Sequence, residues 1–365
     1  MQRNNMWIKI VPNDNLFFRT GRPFGMGSET WTDSIFPPYP STIYGALRTY
    51  LLFNRGSLKK FKEEGYEDIG SSKNKGNMKI IGPLLALREA ILFPAPLDLV
   101  KKKENEKLVL LSKISRPKIF FSDYPHDNLL MFKGDNQVEE ANVFIDDLTL
   151  KDYLEGKKKE FFYIKKSKLY LIEPKIGIAR ERLTLTSKEG HLYRIPMIRL
   201  SRESFILVRV SKVLNMPEKG VFNLGGEGKT VYYEKLEGNP LEIFVNGTLN
   251  LTNRVFKIYL ATPAIFEKGW LPNWIDENSL EGNFNGIELK LICCAIGKYV
   301  RIGGWDLAKK EPKPMYKAVP AGSVYYFEVL DNTTEEEIRN TFHLKNISDI
   351  NPEEGFGLSL VGDVP

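Results

Sequence analysis

The chain has 365 residues, of which 42% are hydrophobic and 27% are charged. This length favours two domains over one, and the composition excludes a wholly disordered chain. No apolar run approaches the roughly 20 residues that span a bilayer, and the start, MQRNNMWIKIV, lacks the apolar stretch of a secretory signal. A cytoplasmic location without membrane contact is therefore expected.

The charges are unevenly distributed along the chain. The 52 Lys and Arg residues against 46 Asp and Glu residues give a net charge of only +6. Residues 151–235 nevertheless carry 19 basic and 10 acidic residues, whereas residues 318–365 carry 2 basic and 9 acidic residues. This polarity is typical of a protein with one face for a polyanion and another for a protein partner, although solvated faces produce the same pattern.

The N-terminal stretch predicts two extended segments and a glycine-rich loop. Residues 7–12 (WIKIVP) form the first predicted strand, and a second extended segment, LFFR, ends at Arg19. The loop that follows, TGRPFGMGSETW, combines glycines with cationic side chains. Because glycine permits positive φ and close backbone approach, Arg19, Arg22 and the Gly25 region are candidates for binding a phosphate.

A helix is predicted to begin at Ser41, a good N-cap after the proline-rich residues 37–40. Its apolar positions recur at i, i+4, i+7 and i+8, which predicts one face packed on a sheet: Ile43, Leu47, Tyr50 and Leu51. The backbone amides at Ser41 and Thr42 are a candidate anion site, and Arg48 is a further candidate. Residues 78–100 then predict two strands.

Residues 176–200 (IGIARERLTLTSKEGHLYRIPMIRL) predict a long β-hairpin with a polar turn at residues 187–190. Its arms carry one aromatic and four cationic candidates for contact with a single-stranded nucleic acid: Arg180, Arg182, Tyr193, Arg194 and Arg199. The alternative interpretation is an exposed ribbon whose arginines are balanced by Glu181 and Glu189.

Two further loops combine lysine with glycine or proline. GGEGKT, residues 225–230, lacks the GxxxxGK[ST] spacing of nucleotide hydrolases. Gly225, Gly226 and Lys229 could still cradle a phosphate with successive amides, and a tight turn is the competing explanation. In KKEPKPMYK, Lys309, Lys310 and Lys313 are further candidates for RNA contact.

The last third predicts a second domain, with residues 1–248 forming the first domain and residues 249–365 the second. Strands are predicted at RVFKIYLATPAIF, ELKLICCAIGKYVRIGGWDLA and AVPAGSVYYFEVL, and EGFGLSLVG closes the chain. Thr333 and Glu336 predict a capping box for a helix with apolar Ile338 and Phe342. The order resembles a β-α-β-β-α-β pattern whose first helix is poorly marked.

The residue inventory does not suggest catalysis. His126, His191 and His343 lie far apart in the sequence, and Cys293 and Cys294 lack the spacing of a zinc site. No paired carboxylates suggest two-metal chemistry. We therefore expect a binding protein with no catalytic residues, no metal and no cofactor. Two alternatives remain open: a metal-independent RNA endonuclease that uses a histidine or a polar trio, and a structural adaptor that never touches RNA.

Seven segments in order carry a resemblance to known proteins: FFRTGRPFG, FPPYPSTIYGALR, GIARERLTLTSKEGHLYRIPMIR, GGEGK, LATPAIFEKGWLP, GGWDLAKKEPKPMYKAVPAGSVYYFE and GFGLSLVG. They run from Phe17 to Gly362. Together they resemble one family, the repeat-associated RAMP superfamily, and specifically a subunit of type III-B CRISPR (Cmr) effector complexes.

The resemblance implies an α+β chain of tandem ferredoxin-like (RRM-like) domains with a β-hairpin insertion and Gly-rich loops. It also implies a non-catalytic subunit that binds the 5′ handle of CRISPR RNA in antiviral defence. The implied protein partners are the large polymerase-like subunit and a backbone RAMP subunit. The endonuclease alternative would instead process CRISPR precursor RNA.

Overall fold

The computed structural model describes most of the chain, namely residues 3–19, 33–104, 106–115, 127–157, 160–181, 184 and 186–364. For residues 3, 4, 179, 180 and 187–193 only the backbone is described. Strands dominate the described residues, with five α-helices among them. The predicted mixture of helices and strands is confirmed at this level.

The strands, in chain order, are β1 (Arg3–Pro12), β2 (Lys79–Leu87), β3 (Ala90–Pro94), β4 (Leu99–Lys102), β5 (Leu108–Leu110), β6 (Ser112–Ser115), β7 (Asn128–Met131), β8 (Val138–Glu140), β9 (Phe144–Asp146), β10 (Glu160–Phe161), β11 (Tyr170–Arg180), β12 (Ser187–Leu200), β13 (Ser204–Leu214), β14 (Lys219–Asn223), β15 (Thr230–Leu236), β16 (Val255–Leu260), β17 (Glu281–Phe284), β18 (Ile287–Ala295), β19 (Val300–Ile302), β20 (Trp305–Asp306), β21 (Glu311–Pro312), β22 (Tyr316–Ala318), β23 (Val324–Val329), β24 (Lys345–Asn346) and β25 (Leu358–Asp363). The helices are α1 (Pro40–Arg55), α2 (Leu58–Glu63), α3 (Asp147–Leu154), α4 (Glu242–Val245) and α5 (Glu335–Phe342).

The chain divides into two compact units, each assembled from three stretches. Unit 1 comprises Met1–Glu89, Ser167–Gly238 and Arg301–Tyr316, and unit 2 comprises Ala90–Lys166, Asn239–Val300 and Lys317–Pro365. The predicted domains are instead one continuous stretch each, and their boundary at residues 248 and 249 stays a prediction. Within the described residues, no helix is both long enough and apolar enough to cross a membrane.

Unit 1 contains an antiparallel sheet in the order β14-β15-β1-β13-β2. Helix α1 connects β1 to β2, which run parallel because β13 lies antiparallel between them. The predicted apolar face of α1 is confirmed, since Ile43, Leu47 and Leu51 are fully buried. Tyr50 is only half-buried, and its hydroxyl accepts a hydrogen bond from the hydroxyl of Tyr233 at 3.3 Å.

The predicted N-cap of α1 is wrong by two residues. The helix begins at Pro40, its N-cap is Tyr39, and Ser41 lies in the first turn without capping it. Proline suits the first helical position because its missing N–H would be unpaired there and its fixed φ is already helical. The expected serine cap is therefore replaced by a proline start.

The long hairpin of unit 1 is confirmed, but its predicted turn is wrong. Strands β11 and β12 pair from Tyr170 opposite Leu200 to Arg180 opposite Ser187. Residues 187–190 are therefore strand, and the N–H of Glu181 donates to the carbonyl of Thr186 at 2.9 Å to close the hairpin earlier. A run of polar residues does not distinguish a turn from an exposed ribbon.

Unit 2 contains a second antiparallel sheet in the order β17-β18-β23-β16-β25-β24. Its core includes fully buried side chains from the sheet and from α5, among them Phe256, Ile338 and Phe342. The chain from 261 to 280, between β16 and β17, forms no helix, which agrees with the poorly marked first helix of the predicted pattern.

The cap of α5 is shifted from its predicted position by one residue. Thr334, not Thr333, accepts a hydrogen bond from the N–H of Glu337, whose carboxylate accepts one from the N–H of Thr334 at 2.8 Å. The predicted capping box is therefore present as a motif, but with Glu337 in place of Glu336.

Candidate nucleic-acid interface

Residues 16–19 of unit 1 run between the long hairpin and the glycine-rich turn. The N–H of Leu16 donates to the carbonyl of Ile198 in β12 at 2.7 Å, and the reverse bond has the same length. The Phe17 carbonyl accepts from the N–H of Gly226 at 2.8 Å. The extended segment that ends at Arg19 is thus fixed by backbone contacts on both sides.

The same segment is joined to the chain that leads into α1. Arg19 forms an isolated bridge with Ser34. The ring of Phe36 lies 6.1 Å from the ring of Phe18 and 4.7 Å from the ring of Tyr170 at the base of β11. The fold therefore gathers Arg19, the lead-in to α1, the hairpin base and the glycine turn.

Close packing requires a glycine at position 225 of the turn. Gly225 has φ +78°, and a Cβ there would lie 2.4 Å from the Phe17 carbonyl oxygen. The N–H of Gly226 is already donated to Phe17, and the N–H of Leu224 to Lys229 at 2.9 Å. Because the Gly226 amide is already used, the tight-turn explanation fits this loop better than a cradle of free amides.

Two of the predicted cations meet at one carboxylate. Lys229 Nζ lies 2.7 Å from Asp14 Oδ2, and Arg199 Nη2 lies 3.4 Å from Asp14 Oδ1. The Nε of Arg199 also donates to Glu173. We call the ion-paired groups at this place the hairpin-base surface: Asp14, Glu173, Lys175, Arg199, Glu227 and Lys229.

The hairpin-base surface holds as many carboxylates as cations. The hydrogen bond from Lys229 lowers the pKa of Asp14, and the hydrogen bond from Arg199 lowers the pKa of Glu173. Both acids are therefore ionised at neutral pH and compensate the cations. A phosphate that binds Arg199 or Lys229 must take the place of a carboxylate, although both cations remain partly accessible, with side-chain exposures of 46% and 22%.

Arg48 has a structural role that the sequence did not indicate. Its guanidinium donates to the carbonyls of Ile69, Ser71 at 2.8 Å and Asn74 at 2.6 Å, and it lies over the ring of Phe61 at 5.0 Å. These bonds fix the loop after α2. The RNA contact of Arg48 stays a prediction, and its donors already have partners.

The remaining candidates lie in several places. Ser41 and Thr42 are half-buried in the first turn of α1, Arg194 is exposed on β12, and Lys309 and Lys310 are exposed on the separate β20–β21 hairpin. Arg22, Gly25 and Arg182 lie outside the described residues, as do the side chains of Arg180 and Tyr193.

The carboxylates Asp14 and Glu173 were not identified from the sequence. The strand pairing of the hairpin would have predicted the contact of Glu173 with Arg199. Glu173 pairs with Met197 and therefore lies diagonally opposite Arg199, within reach of a long side chain. Asp14 is distant in sequence from both cations, and only the tertiary fold brings it to them.

His343, the histidine whose side chain the structure describes, is a structural residue. Its Nδ1 accepts from the N–H of Val361 at 3.1 Å, so Nε2 carries the proton and donates to the Phe244 carbonyl at 2.9 Å. Burial lowers the pKa of His343 to about 4, so the ring is neutral and both nitrogens are used. Among the residues that the structure describes, no group of three or more His, Cys, Asp or Glu is placed to hold a metal ion.

Comparison with known proteins gives one family and a set of similar folds. A model of the family described as CRISPR-associated protein (Cas_Cmr3) matches residues 8–364. A chain from the cryo-EM structure of the type III-B Cmr-beta complex bound to cognate target RNA is 20% identical with a TM-score of 0.51; the match covers 88% of this chain and 86% of that one. This similarity shows a shared fold.

Two further solved structures are more distant. A chain of the Cmr-beta complex with cognate target RNA and AMPPnP, state 1, is 19% identical over 88% of this chain and 86% of that one, with a TM-score of 0.49. A chain of the Csm3-Csm4 subcomplex of the type III-A CRISPR-Cas interference complex is 13% identical over 91% and 95%, with a TM-score of 0.37. No curated protein matches the chain.

Proposed function

We propose a function from one premise: the chain belongs to the CRISPR-associated Cas_Cmr3 family, whose model matches residues 8–364. This membership confirms the family resemblance of the seven ordered segments. It makes the chain a subunit of a CRISPR-associated Cmr complex, and the finer assignment below is our proposal.

The proposed function is a non-catalytic RNA-binding subunit of a type III-B effector complex. The subunit binds the 5′ handle of CRISPR RNA and docks the large polymerase-like subunit and a backbone RAMP subunit. The observation that carries the proposal is the meeting of residues 16–19, the long hairpin and the glycine turn in unit 1, which brings Arg19 and the hairpin-base surface to one part of the fold. The cytoplasmic location stays a prediction.

The strand orders support the tandem ferredoxin-like part of the proposal. In unit 1, β15-β1-β13-β2 follows the order fourth-first-third-second, with α1 between the first and second strands. In unit 2, β25-β16-β23-β18 follows the same order, with α5 between the third and fourth strands. A split βαβ fold has this order with both helices present, so each unit keeps one of the two.

RNA binding at the hairpin-base surface is an exchange of anions. Arg199 and Lys229 are held by Asp14 in the free subunit, and a phosphate of the handle takes over this pairing when it binds. Exposed ion pairs are worth about 0.2–1 kcal/mol, so the exchange costs little. Phosphate contacts release counterions, and the affinity must therefore fall with salt.

Catalysis is not part of the proposed function. His343 has both ring nitrogens in hydrogen bonds to backbone groups, so it cannot accept a proton from an RNA hydroxyl without breaking the fold around it. Incubation of labelled repeat RNA with the purified protein in the absence of metal tests this point. We expect no cleavage, and turnover that is lost in His191→Ala would instead support the endonuclease alternative.

The main test compares two lysines of similar setting. Lys229 and Lys235 lie next to and within β15, and each is paired with a carboxylate, but only Lys229 belongs to the hairpin-base surface. We expect Lys229→Ala to weaken binding of the guide RNA by the assembled complex and to lower the salt slope by about 0.7 for each lost contact with a single strand. Lys235→Ala should leave both quantities unchanged.

Asp14→Asn should change the RNA affinity in the opposite direction to Lys229→Ala. Removal of the carboxylate frees Lys229 for phosphate, whereas Arg199 keeps its bond to Glu173, and we expect binding of RNA to tighten by up to about fivefold, since one exposed pair is worth at most about 1 kcal/mol. Equal effects of Lys229→Ala and Lys235→Ala, together with no gain in Asp14→Asn, would remove the hairpin-base surface from the RNA path. A wild-type complex that does not distinguish the handle from a scrambled RNA would overturn the proposed function itself.

A further inference from the structure

The hairpin formed by β20 and β21 exposes a tryptophan that has no role in the core. The Trp305 side chain is 57% exposed, whereas Trp7 is buried and Trp270 is 38% exposed. Two apolar side chains of the same segment, Leu307 at 59% and Met315 at 50%, are equally accessible. Several exposed apolar side chains on one short segment are typical of an interaction site.

The ribbon holds Trp305 in a defined position. Trp305 pairs with Pro312, and the N–H of Lys313 donates to the carbonyl of Gly304 at 2.9 Å, which extends the pairing by one residue. The Asp306 carboxylate accepts from the N–H of Lys309 at 3.0 Å within the turn. The backbone under the indole is therefore fixed before any ligand arrives, which lowers the entropy cost of binding.

The surroundings of Trp305 are cationic. A Cβ at Gly304 would lie 3.5 Å from Lys313 Cδ, so the lysine stem lies against bare backbone next to the tryptophan. Between residues 301 and 316 there are four cations and two carboxylates. Lys309 Nζ lies 3.8 Å from Glu311, whereas Lys310 and Lys313 form no ion pair with any residue that the structure describes.

We propose that Trp305 is a stacking platform for one unpaired base of a single-stranded RNA, with Lys310 and Lys313 binding the adjacent phosphates. An accessible aromatic face beside free ammonium groups is the arrangement that binds single strands without base pairing. An acidic protein segment would pair with the lysines without requiring a planar group over the indole. This inference rests on the proposed function, because it supplies a second contact for the same RNA.

The experiment measures binding of guide RNA by the assembled complex in Trp305→Ala, Trp305→Phe and Trp270→Ala. We expect Trp305→Ala to bind 5-fold to 100-fold more weakly, while Trp305→Phe keeps most of the affinity because it retains an aromatic face. Trp270→Ala, which removes another partly exposed indole, should bind as the wild type does. Mass spectrometry after ultraviolet crosslinking should find a nucleotide on Trp305.

The salt dependence separates the two kinds of contact. Stacking releases no counterions, so Trp305→Ala should weaken binding without changing the salt slope, whereas Lys313→Gln should lower the slope by about 0.7. Wild-type affinity in Trp305→Ala, with normal RNA binding by the wild type, overturns this inference and leaves the proposed function standing. Loss of a protein subunit from the Trp305→Ala complex with RNA affinity retained would show that the hairpin docks protein instead. A wild type that does not bind handle RNA overturns both.

Discussion

Gly225→Ala tests whether the glycine turn fixes the segment that ends at Arg19. Gly225 has φ +78°, and the added Cβ would lie 2.4 Å from the Phe17 carbonyl oxygen. An ordinary contact at this position begins near 3.4 Å, so the Phe17 carbonyl must move by about an ångström. The same carbonyl accepts the hydrogen bond from Gly226 at 2.8 Å, which the displacement would break.

Gly228 offers a matched control in the same turn. It also has a left-handed backbone, with φ +64°, but nothing lies within 4 Å of the position that its Cβ would take. Gly228→Ala should therefore cost only the left-handed penalty of about 1–2 kcal/mol. Gly225→Ala should cost the same penalty and the lost hydrogen bond, about 0.5–1.5 kcal/mol more, before any strain is counted.

The assay is urea denaturation of both variants with parallel measurement of RNA affinity in the assembled complex. We expect Gly225→Ala to unfold at lower urea than Gly228→Ala and also to bind RNA more weakly, because Phe17 carries Arg19 with it. Equal midpoints for the two variants would refute the argument from close packing. A less stable Gly225→Ala with unchanged RNA affinity would separate the turn from the RNA path.

Three further predictions concern stability. Leu47→Ala, at a fully buried site of α1, should lower the free energy of unfolding by about 2–5 kcal/mol, whereas Phe53→Ala on the same helix, 61% exposed, should change it by less than about 0.5 kcal/mol; urea denaturation measures both. Thr334→Ala should cost about 1 kcal/mol through loss of the α5 cap, a loss that the same titration detects and that Thr333→Ala should not match. Burial lowers the pKa of Lys257 from 10.5 to about 8. Between these two pH values the unfolded chain binds more protons than the folded chain, so the free energy of unfolding rises with pH by up to about 3 kcal/mol through this residue. Lys257→Met should remove that part of the rise in denaturation curves recorded at a series of pH values, and an unchanged pH dependence would contradict the assignment.

The interiors of the elements were predictable from the sequence, but some of their ends were not. The face of α1 followed from the spacing of Ile43, Leu47 and Leu51, because burial on one side of a helix imposes that period. The ends of a helix depend on which residue satisfies its terminal N–H groups. Thr333 and Thr334 are each followed three residues later by glutamate, so both satisfy the capping pattern, and only the backbone shows which of them caps α5.

For the candidate site, the sequence predicted which types of side chain are present but not which of them lie together. The sequence identifies Arg48 on a helix, Arg199 on a ribbon and Lys229 beside glycines as candidate cations, yet their partners are remote. Arg48 bonds the loop after α2, and the other two meet Asp14. A sequence pattern of a few neighbouring residues does not show which remote residues will pair in the fold. A basic stretch therefore predicts that cations are available, whereas the fold decides which of them remain exposed and unpaired.

Ion pairs within the hairpin-base surface affect how strongly the subunit binds unrelated polyanions. If the cations of the hairpin-base surface were bare, any polyanion would bind them by counterion release alone. The carboxylates of Asp14 and Glu173 place a cost on each such contact, and only a strand that also makes other contacts, such as stacking on Trp305, recovers it. The acids thus lower the affinity of every strand by a similar factor, and the strand with additional contacts is the one that stays bound. On this argument Asp14→Asn should tighten binding to unrelated single strands and to handle RNA by similar factors, up to about fivefold, and titration of each labelled strand measures both gains; a gain for neither strand would show that the carboxylates do not compete with phosphate.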